Sequence, residues 1–368
     1  MFSQVFSGKF MCFFQGSIKM LLVTTNPGLE DLAIRELSEK LGVKVNYEIL
    51  VKGRVLIENI RYSNDLVNKL LSLKTIHKVS AVLIEGKVSR KVRGLKMIYE
   101  ITKKAKPHTY LNTQTTFAIR SERIGHHEYT SIDVAKEAGQ AVVDDALENA
   151  GFRPKVNLNH PTIIFDSLII HDKYFFSLRL TGEESLHKRG YRVYDHPAAL
   201  KPTIAYSMLM LSKLKSEEVF LDPMCGGGTL AIEAAMNFSP RKIICLDISP
   251  KHLRGTMLNS IAAGVYEKIK FMLGDAKKLN ELIREKVDVI ATNPPYGIRL
   301  FRREKLKELY EGFLESSKEV LSGEGRVIVI TAEYEMLRNI AESLGYKVVE
   351  ERNCMHGNLN VKILLLKL

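Results

Sequence analysis

Asp222-Pro223-Met224-Cys225-Gly226-Gly227-Gly228-Thr229 joins a short apolar run at 219–222 to a stretch of helical periodicity starting near Leu230. A strand that turns through glycines into a helix opens an α/β unit, because glycine lets the backbone turn sharply and approach a ligand beside the helix N-terminus. Further strands are predicted at 242–247, 269–273, 287–292, 326–331, 346–353 and 361–366, with helical stretches between the first six. This alternation predicts a seven-stranded, mostly parallel sheet with helices on both faces. The last two strands have no helix between them and should form a hairpin, placing an antiparallel strand at or near one edge.

Ahead of this domain lies enough chain for one or two more, since 368 residues exceed the ~150 typical of one domain. Met20 opens a strand, Asn26-Pro27-Gly28 a turn, and 29–41 an amphipathic helix; a hairpin at 43–51 and 53–58, a helix at 64–73 and a strand at 79–85 complete a small α+β unit. A helix at 94–106, a strand at 116–120, a polar basic loop at 121–131, a helix at 132–149 capped by Ser131 or Asp133, and strands at 162–170 and 173–180 follow. The expected division is an extension at 1–19, segments at 20–74 and 75–185, a linker and helix at 186–215, and the sheet domain at 216–368. The apolar but interrupted residues 1–19 read as a loose extension or an over-called start.

Composition narrows the class. Hydrophobic residues at 45% and charged residues at 26% are globular values and exclude disorder and collagen-like repeats. Cys12, Cys225, Cys245 and Cys354 stand far apart with no CxxC pair, so neither a zinc site nor a disulfide framework is written, which suits a reducing cytoplasm. No window reaches the ~18 to 20 apolar residues of a membrane helix. The net charge of +12 favours an anionic partner, and most of it lies early: residues 1–190 hold 28 Lys and Arg against 20 Asp and Glu. No metal site and a monomer are the expectations.

The glycine loop alone is weak evidence for a cofactor. Asp247 ends the next strand, where a carboxylate accepts hydrogen bonds from ribose hydroxyls, and Asp275 ends the third, where it can meet the amino group of an adenine. Three such features at neighbouring strand ends point to an adenosine cofactor. The loop lacks the G-x-G-x-x-G spacing of a dinucleotide site and the Gly-Lys-Ser/Thr of an ATP phosphate loop. The fourth strand ends in Asn293-Pro294-Pro295-Tyr296. In this rigid turn the Asn293 side-chain oxygen and the Pro294 carbonyl can accept both hydrogens of a planar amine, aiming its lone pair at an electrophilic methyl group. Tyr296 offers a ring for a flipped base.

On these residues, 200–368 resembles the class I (Rossmann-like) S-adenosylmethionine-dependent methyltransferases of the amino-group type. The resemblance implies S-adenosyl-L-methionine held by Asp222, Pro223, Cys225, Gly226, Gly228, Thr229, Asp247, Ile248, Asp275, Ala276 and Asn293, with Thr203 near it, and catalysis by Asn293, Pro294 and Tyr296. Cys225 itself reads as a small packing residue.

Upstream, 117–133 sets Arg120, Arg123, His126, His127 and Tyr129 on a loop leading into a helix, a place for phosphates or for a nucleotide stacked on Tyr129. A solvated polar loop is the plain alternative. The string is similar to the core of the THUMP domain, an RNA-binding module, over 75–185, and 20–74 is like its ferredoxin-like companion. Ser185 to Arg192 and His196 to Thr203 resemble the junction of THUMP-bearing guanine-N2 methyltransferases, with Lys201 and Pro202 replacing the usual Arg and acid. Lys188, Arg189 and Arg192 form a basic cluster there, and Arg299, Arg302 and Arg303 follow the N-P-P-Y turn; a solvated surface competes, on equal terms for Arg302 and Arg303.

The resemblance implies a tRNA guanine-N2 methyltransferase acting on the sixth nucleotide of the acceptor stem. A 23S rRNA guanine-N2 enzyme and a tRNA enzyme acting on the tenth nucleotide are the alternatives, and a non-catalytic RNA-binding scaffold is the reading from another class.

Overall fold

The computed structural model describes residues 19–60, 64–297 and 303–368. Residues 1–18, which carry most of the expected extension, and Arg299 and Arg302 lie outside them. Two compact units are present, one reaching Thr25 and resuming over Ala33–Leu186, the other made of Asn26–Leu32 and His187–Leu368.

In chain order the first part runs β1 (Met20–Thr25), α1 (Glu30–Leu41), β2 (Asn46–Val51), β3 (Arg54–Glu58), α2 (Asn64–Leu71) and β4 (Ile76–Lys87). It continues through α3 (Gly94–Lys104), β5 (Thr116–Ile124), α4 (Ser131–Ala150), β6 (Lys155–Val156), β7 (Ile163–Ile170) and β8 (Lys173–Arg179). All eight strands form one sheet, β2-β3-β1-β4-β8-β7-β5-β6. Strand β4 is the seam: it pairs antiparallel with β1 through Leu21↔Ala81 and with β8 through Ala81↔Leu178, so the strands of 20–74 and 75–185 share one ladder system. Helices α1 to α4 cover one face, where Leu21, Val55, Ile98, Val142, Phe165 and Phe176 are buried. On the other face the buried cluster Leu22, Leu56, Val82, Leu168, Ile170 and Phe175 comes from strands alone, as the twofold alternation of side chains requires.

Two local expectations are corrected. Residues 121–124 continue β5, because each pairs with β7 as far as Ile124↔Ile170, and the polar loop is shorter than its composition suggested. The cap of α4 is Thr130: its hydroxyl accepts from the Asp133 N–H at 3.2 Å while Asp133 accepts from the Thr130 N–H at 2.7 Å. Replacing Thr130 by Ala removes half of this reciprocal pair and is expected to cost about 1 kcal/mol in chemical denaturation.

The second part runs α5 (Pro202–Ser212), β9 (Val219–Asp222), α6 (Thr229–Asn237), β10 (Lys242–Asp247), α7 (Pro250–Ala262), β11 (Ile269–Leu273) and α8 (Leu279–Leu282). Then come β12 (Val287–Thr292), α9 (Arg303–Val320), β13 (Leu321–Thr331), α10 (Tyr334–Ser343), β14 (Lys347–His356) and β15 (Leu359–Lys367). Its sheet has the order β11-β10-β9-β12-β13-β15-β14, with only β15 antiparallel to its neighbours, one place in from the edge. Alternate residues face opposite ways: Phe220, Cys245 and Val289 pack with α5 and α6, whereas Leu221, Leu246 and Ile290 pack with α9 and α10.

Asn26–Leu32 belongs to this second unit. Leu29 and Leu32 enter its core, Asp31 pairs with Arg352 at 3.1 Å, and a methyl at Gly28 (φ +90°) would lie 1.9 Å from the Asn353 carbonyl oxygen. Only glycine fits that approach.

Candidate functional site

Strand order places the two sequence motifs side by side. From β9 the chain winds outward through β10 and β11, then returns to add β12 on the opposite flank, so the carboxyl ends of β9 and β12 part at a topological switch point. The glycine loop leaves β9 and Asn293 follows β12, on strands paired through Leu221↔Ile290.

Within the loop the backbone is held from several directions. The Gly226 N–H donates to Asp247 at 2.8 Å, and the other Asp247 oxygen accepts from the Ser249 N–H at 2.8 Å. Thr256 donates to the Gly226 carbonyl at 2.7 Å and Asn259 to the Gly227 carbonyl at 2.9 Å. Gly228 (φ +79°) caps α6, and a methyl there would lie 2.5 Å from the Thr256 side chain. These contacts leave a turn with Gly226 and Gly228 at positive φ against a helix N-terminus, with Asp247 ending β10, Ile248 69% exposed beside it, and Asp275 following β11, where it accepts from the Lys277 N–H at 2.9 Å. An exposed isoleucine at a parallel-sheet edge offers an apolar face to a flat ring, so the set fits an adenosine group.

Several predicted residues lie beneath rather than in this edge. Asp222 is buried, and burial pushes its carboxyl up to about 8, against the opposing bond from the Met224 N–H. Cys225 is buried with its sulfur 3.6 Å from the Thr256 hydroxyl, in keeping with a packing role. Ala276 is buried, Thr229 holds Arg192, and Pro223 follows β9 in the loop. Thr203 is fully buried, and its hydroxyl accepts from Asn26 at 2.9 Å.

The Asn293 amide nitrogen donates to the Ala198 carbonyl at 3.1 Å, which orients the amide, and its oxygen accepts from the Tyr296 hydroxyl at 2.5 Å. Tyr310 braces the turn by donating to the Pro295 carbonyl at 2.9 Å. The Tyr296 ring is half-buried against the domain core and stands nearly perpendicular to the His356 ring, 6.3 Å between centroids. Sequence reasoning missed His356, and it missed Tyr194, His196 and His252: the His196 ring lies against Gly226 and Gly227, 4.3 Å from the His252 ring, which bonds the Tyr194 hydroxyl at 2.7 Å. His196 stood in the quoted junction, but nothing local tied it to a loop thirty residues away.

The basic cluster divides. Lys188 is exposed, whereas Arg189 pairs with the fully buried Glu233 at 3.2 Å and Arg192 donates to the Leu200 carbonyl and to Thr229. Both guanidiniums are structural ties, which corrects their expected place on an RNA-facing surface. In the first unit, Arg120 pairs with Glu183 at 3.0 Å and lines a polar cavity of about 350 Å³ with Arg54, Lys78, Asp166 and Arg179. Arg123 contacts His127 at 3.1 Å, and the other His127 nitrogen bonds the His171 carbonyl at 2.6 Å. Tyr129 is corrected: its ring is buried and its hydroxyl donates to the Ser89 carbonyl, so no face is free for stacking. No described helix is long and apolar enough to cross a membrane.

A family model described as an RMKL-like methyltransferase domain matches residues 189–362, and one for the THUMP domain matches 92–179. A tRNA (guanine(6)-N2)-methyltransferase of Archaeoglobus fulgidus is 35% identical, covering 93% of this chain and 90% of that one. One of the same name from Methanocaldococcus jannaschii is 36% identical, covering 94% and 99%. The crystal structure of TrmN from Thermus thermophilus superposes with a TM-score of 0.80 at 26% identity, covering 95% of this chain and 99% of that one.

Proposed function

Because the chain belongs to the THUMP-bearing RMKL-like methyltransferases, we propose that it methylates the N2 amine of guanosine 6 in tRNA, using S-adenosyl-L-methionine. The observation that carries this reading is the adjacency of the glycine loop and an Asn-Pro-Pro-Tyr turn at the carboxyl ends of paired strands β9 and β12. Relatives of that name match over at least nine-tenths of both chains, which favours tRNA over rRNA.

When bound, the cofactor supplies a methyl group on a positively charged sulfur. Asp247 would accept the ribose hydroxyls, Ile248 would offer its apolar side chain to the adenine and Asp275 would take the adenine amino group. Asn293 and the Pro294 carbonyl would accept the two hydrogens of the guanine amine and turn its lone pair toward the methyl; as the nitrogen–carbon bond forms and the carbon–sulfur bond breaks, the positive charge passes from sulfur to nitrogen, where these acceptors stabilise it until one amine hydrogen leaves as a proton to water. Residues 75–185 grip the RNA, with 20–74 as companion; Arg120, Arg123 and Lys188 supply donors to phosphates, and His127 holds Arg123 in place. The protein works as a cytoplasmic monomer.

Incubation with methyl-labelled cofactor and a tRNA transcript, followed by nuclease mapping, is expected to give N2-methylguanosine at position 6. Label at another nucleotide, or in 23S rRNA in preference to tRNA, would overturn the assignment.

A further inference from the structure

Asn293 carries its acceptor oxygen already engaged. Its amide nitrogen is committed to the Ala198 carbonyl, and the Tyr296 hydroxyl proton sits on the oxygen that the target amine needs. A donated hydrogen bond uses one lone pair and draws electron density from the amide, weakening it when positive charge develops on the incoming nitrogen.

His356, the last residue of β14, provides another place for that proton. Its Nε2 lies 3.2 Å from the Ala199 carbonyl, which can only accept, so Nε2 carries the ring hydrogen. The neutral ring then presents Nδ1 as a bare acceptor, 3.5 Å from the Tyr296 hydroxyl. A shift of under ~1 Å brings that pair to hydrogen-bond length. From this geometry, and resting on the function proposed above, we infer that His356 is a positioning residue: it accepts the Tyr296 hydroxyl as the guanine amine takes the Asn293 oxygen.

No proton leaves the tyrosine; its O–H turns from one acceptor to the other, and the amine hydrogen meets an Asn293 oxygen whose electron density a second donor no longer draws on. The device works only with neutral His356. Burial lowers the pKa of this ring, and Lys201 and Arg192 add to the effect, opposed by the bond to Ala199. Among the described residues, Tyr296 and Cys354 are held neutral by burial, as is Tyr310 beside Tyr296. Below the ring's depressed pKa both nitrogens carry hydrogen, Nδ1 can only donate, and the Tyr296 proton stays on Asn293.

His356→Phe keeps a ring but removes the acceptor, and His356→Gln restores one. Expected are a fall in kcat of about tenfold for the phenylalanine variant with the cofactor KM within about twofold, partial recovery in the glutamine variant, and loss of the acid limb of the kcat profile in the phenylalanine variant. With Tyr296→Phe as background, His356→Phe should cost nothing further, since no hydroxyl remains to redirect. A tenfold loss persisting in that background, or a single variant within twofold of the unaltered chain, overturns the inference. Nitrogen-15 shifts of the ring in the cofactor-free protein test it without turnover: the Nε2–H form supports it and the Nδ1–H form overturns it. Failure of the unaltered chain to methylate RNA would count against the proposed function, while an Nδ1–H ring would overturn this inference whatever the function.

Discussion

Asn293→Ala is expected to lower single-turnover methyl transfer by about 10² to 10³-fold, the loss typical of deleting one aligned hydrogen-bonding group that acts on developing charge. The side chain has no aliphatic packing role to lose: it is half-exposed, and its polar atoms bond Ala198 and Tyr296. The glycine loop is held by Asp247, Thr256 and Asn259, so the main cofactor-binding turn keeps its shape without the Asn293 side chain, and the cofactor Kd should rise far less than transfer falls. Asn293→Asp keeps an oxygen acceptor but gives up the donor that Ala198 orients, and should fall between alanine and the unaltered chain. Rapid quench with labelled cofactor reads the transfer step, and calorimetry reads cofactor binding. Transfer by the alanine variant within tenfold of the unaltered chain would remove Asn293 from its assigned role.

How much of this was legible depends on how local each signal is. The strands and the two turns of the second unit follow from periodicity and from Gly and Pro, whose backbone effects act within a few residues. Thr130 was missed for the neighbouring Ser131 because both are good caps and only the reciprocal bond with Asp133 separates them. Asn26–Leu32 carries no mark that it joins a unit otherwise beginning at His187; the decisive contacts, Gly28 against Asn353 and Asp31 against Arg352, span more than three hundred residues. Tyr129, Arg189 and Arg192 were misread for one reason: an aromatic or a guanidinium near a motif has the same sequence whether it faces a nucleic acid or a buried oxygen. Here Ser89, Glu233 and Leu200 supplied those oxygens.

Arg189 offers the sharpest test of that distinction. Glu233, on α6, is fully buried and accepts from Arg189 at 3.2 Å, the Tyr191 hydroxyl at 2.9 Å and Asn237 at 3.1 Å. Arg189→Met keeps much of the aliphatic stem but leaves the carboxylate facing only neutral donors, a change that costs about 3–5 kcal/mol in comparable buried pairs. The melting temperature should drop by roughly 10 °C for a unit of this size. Pairing the change with Glu233→Gln removes the stranded charge while keeping an acceptor for Tyr191, and should recover more than half of the loss. Lys188→Ala, next in the chain and exposed, is the opposite case: the same temperature within about 1 °C, weaker tRNA binding, and a shallower dependence of affinity on salt. If Arg189→Met instead left the melting temperature unchanged and weakened RNA binding as Lys188→Ala does, the buried pair would not be what holds this segment to α6.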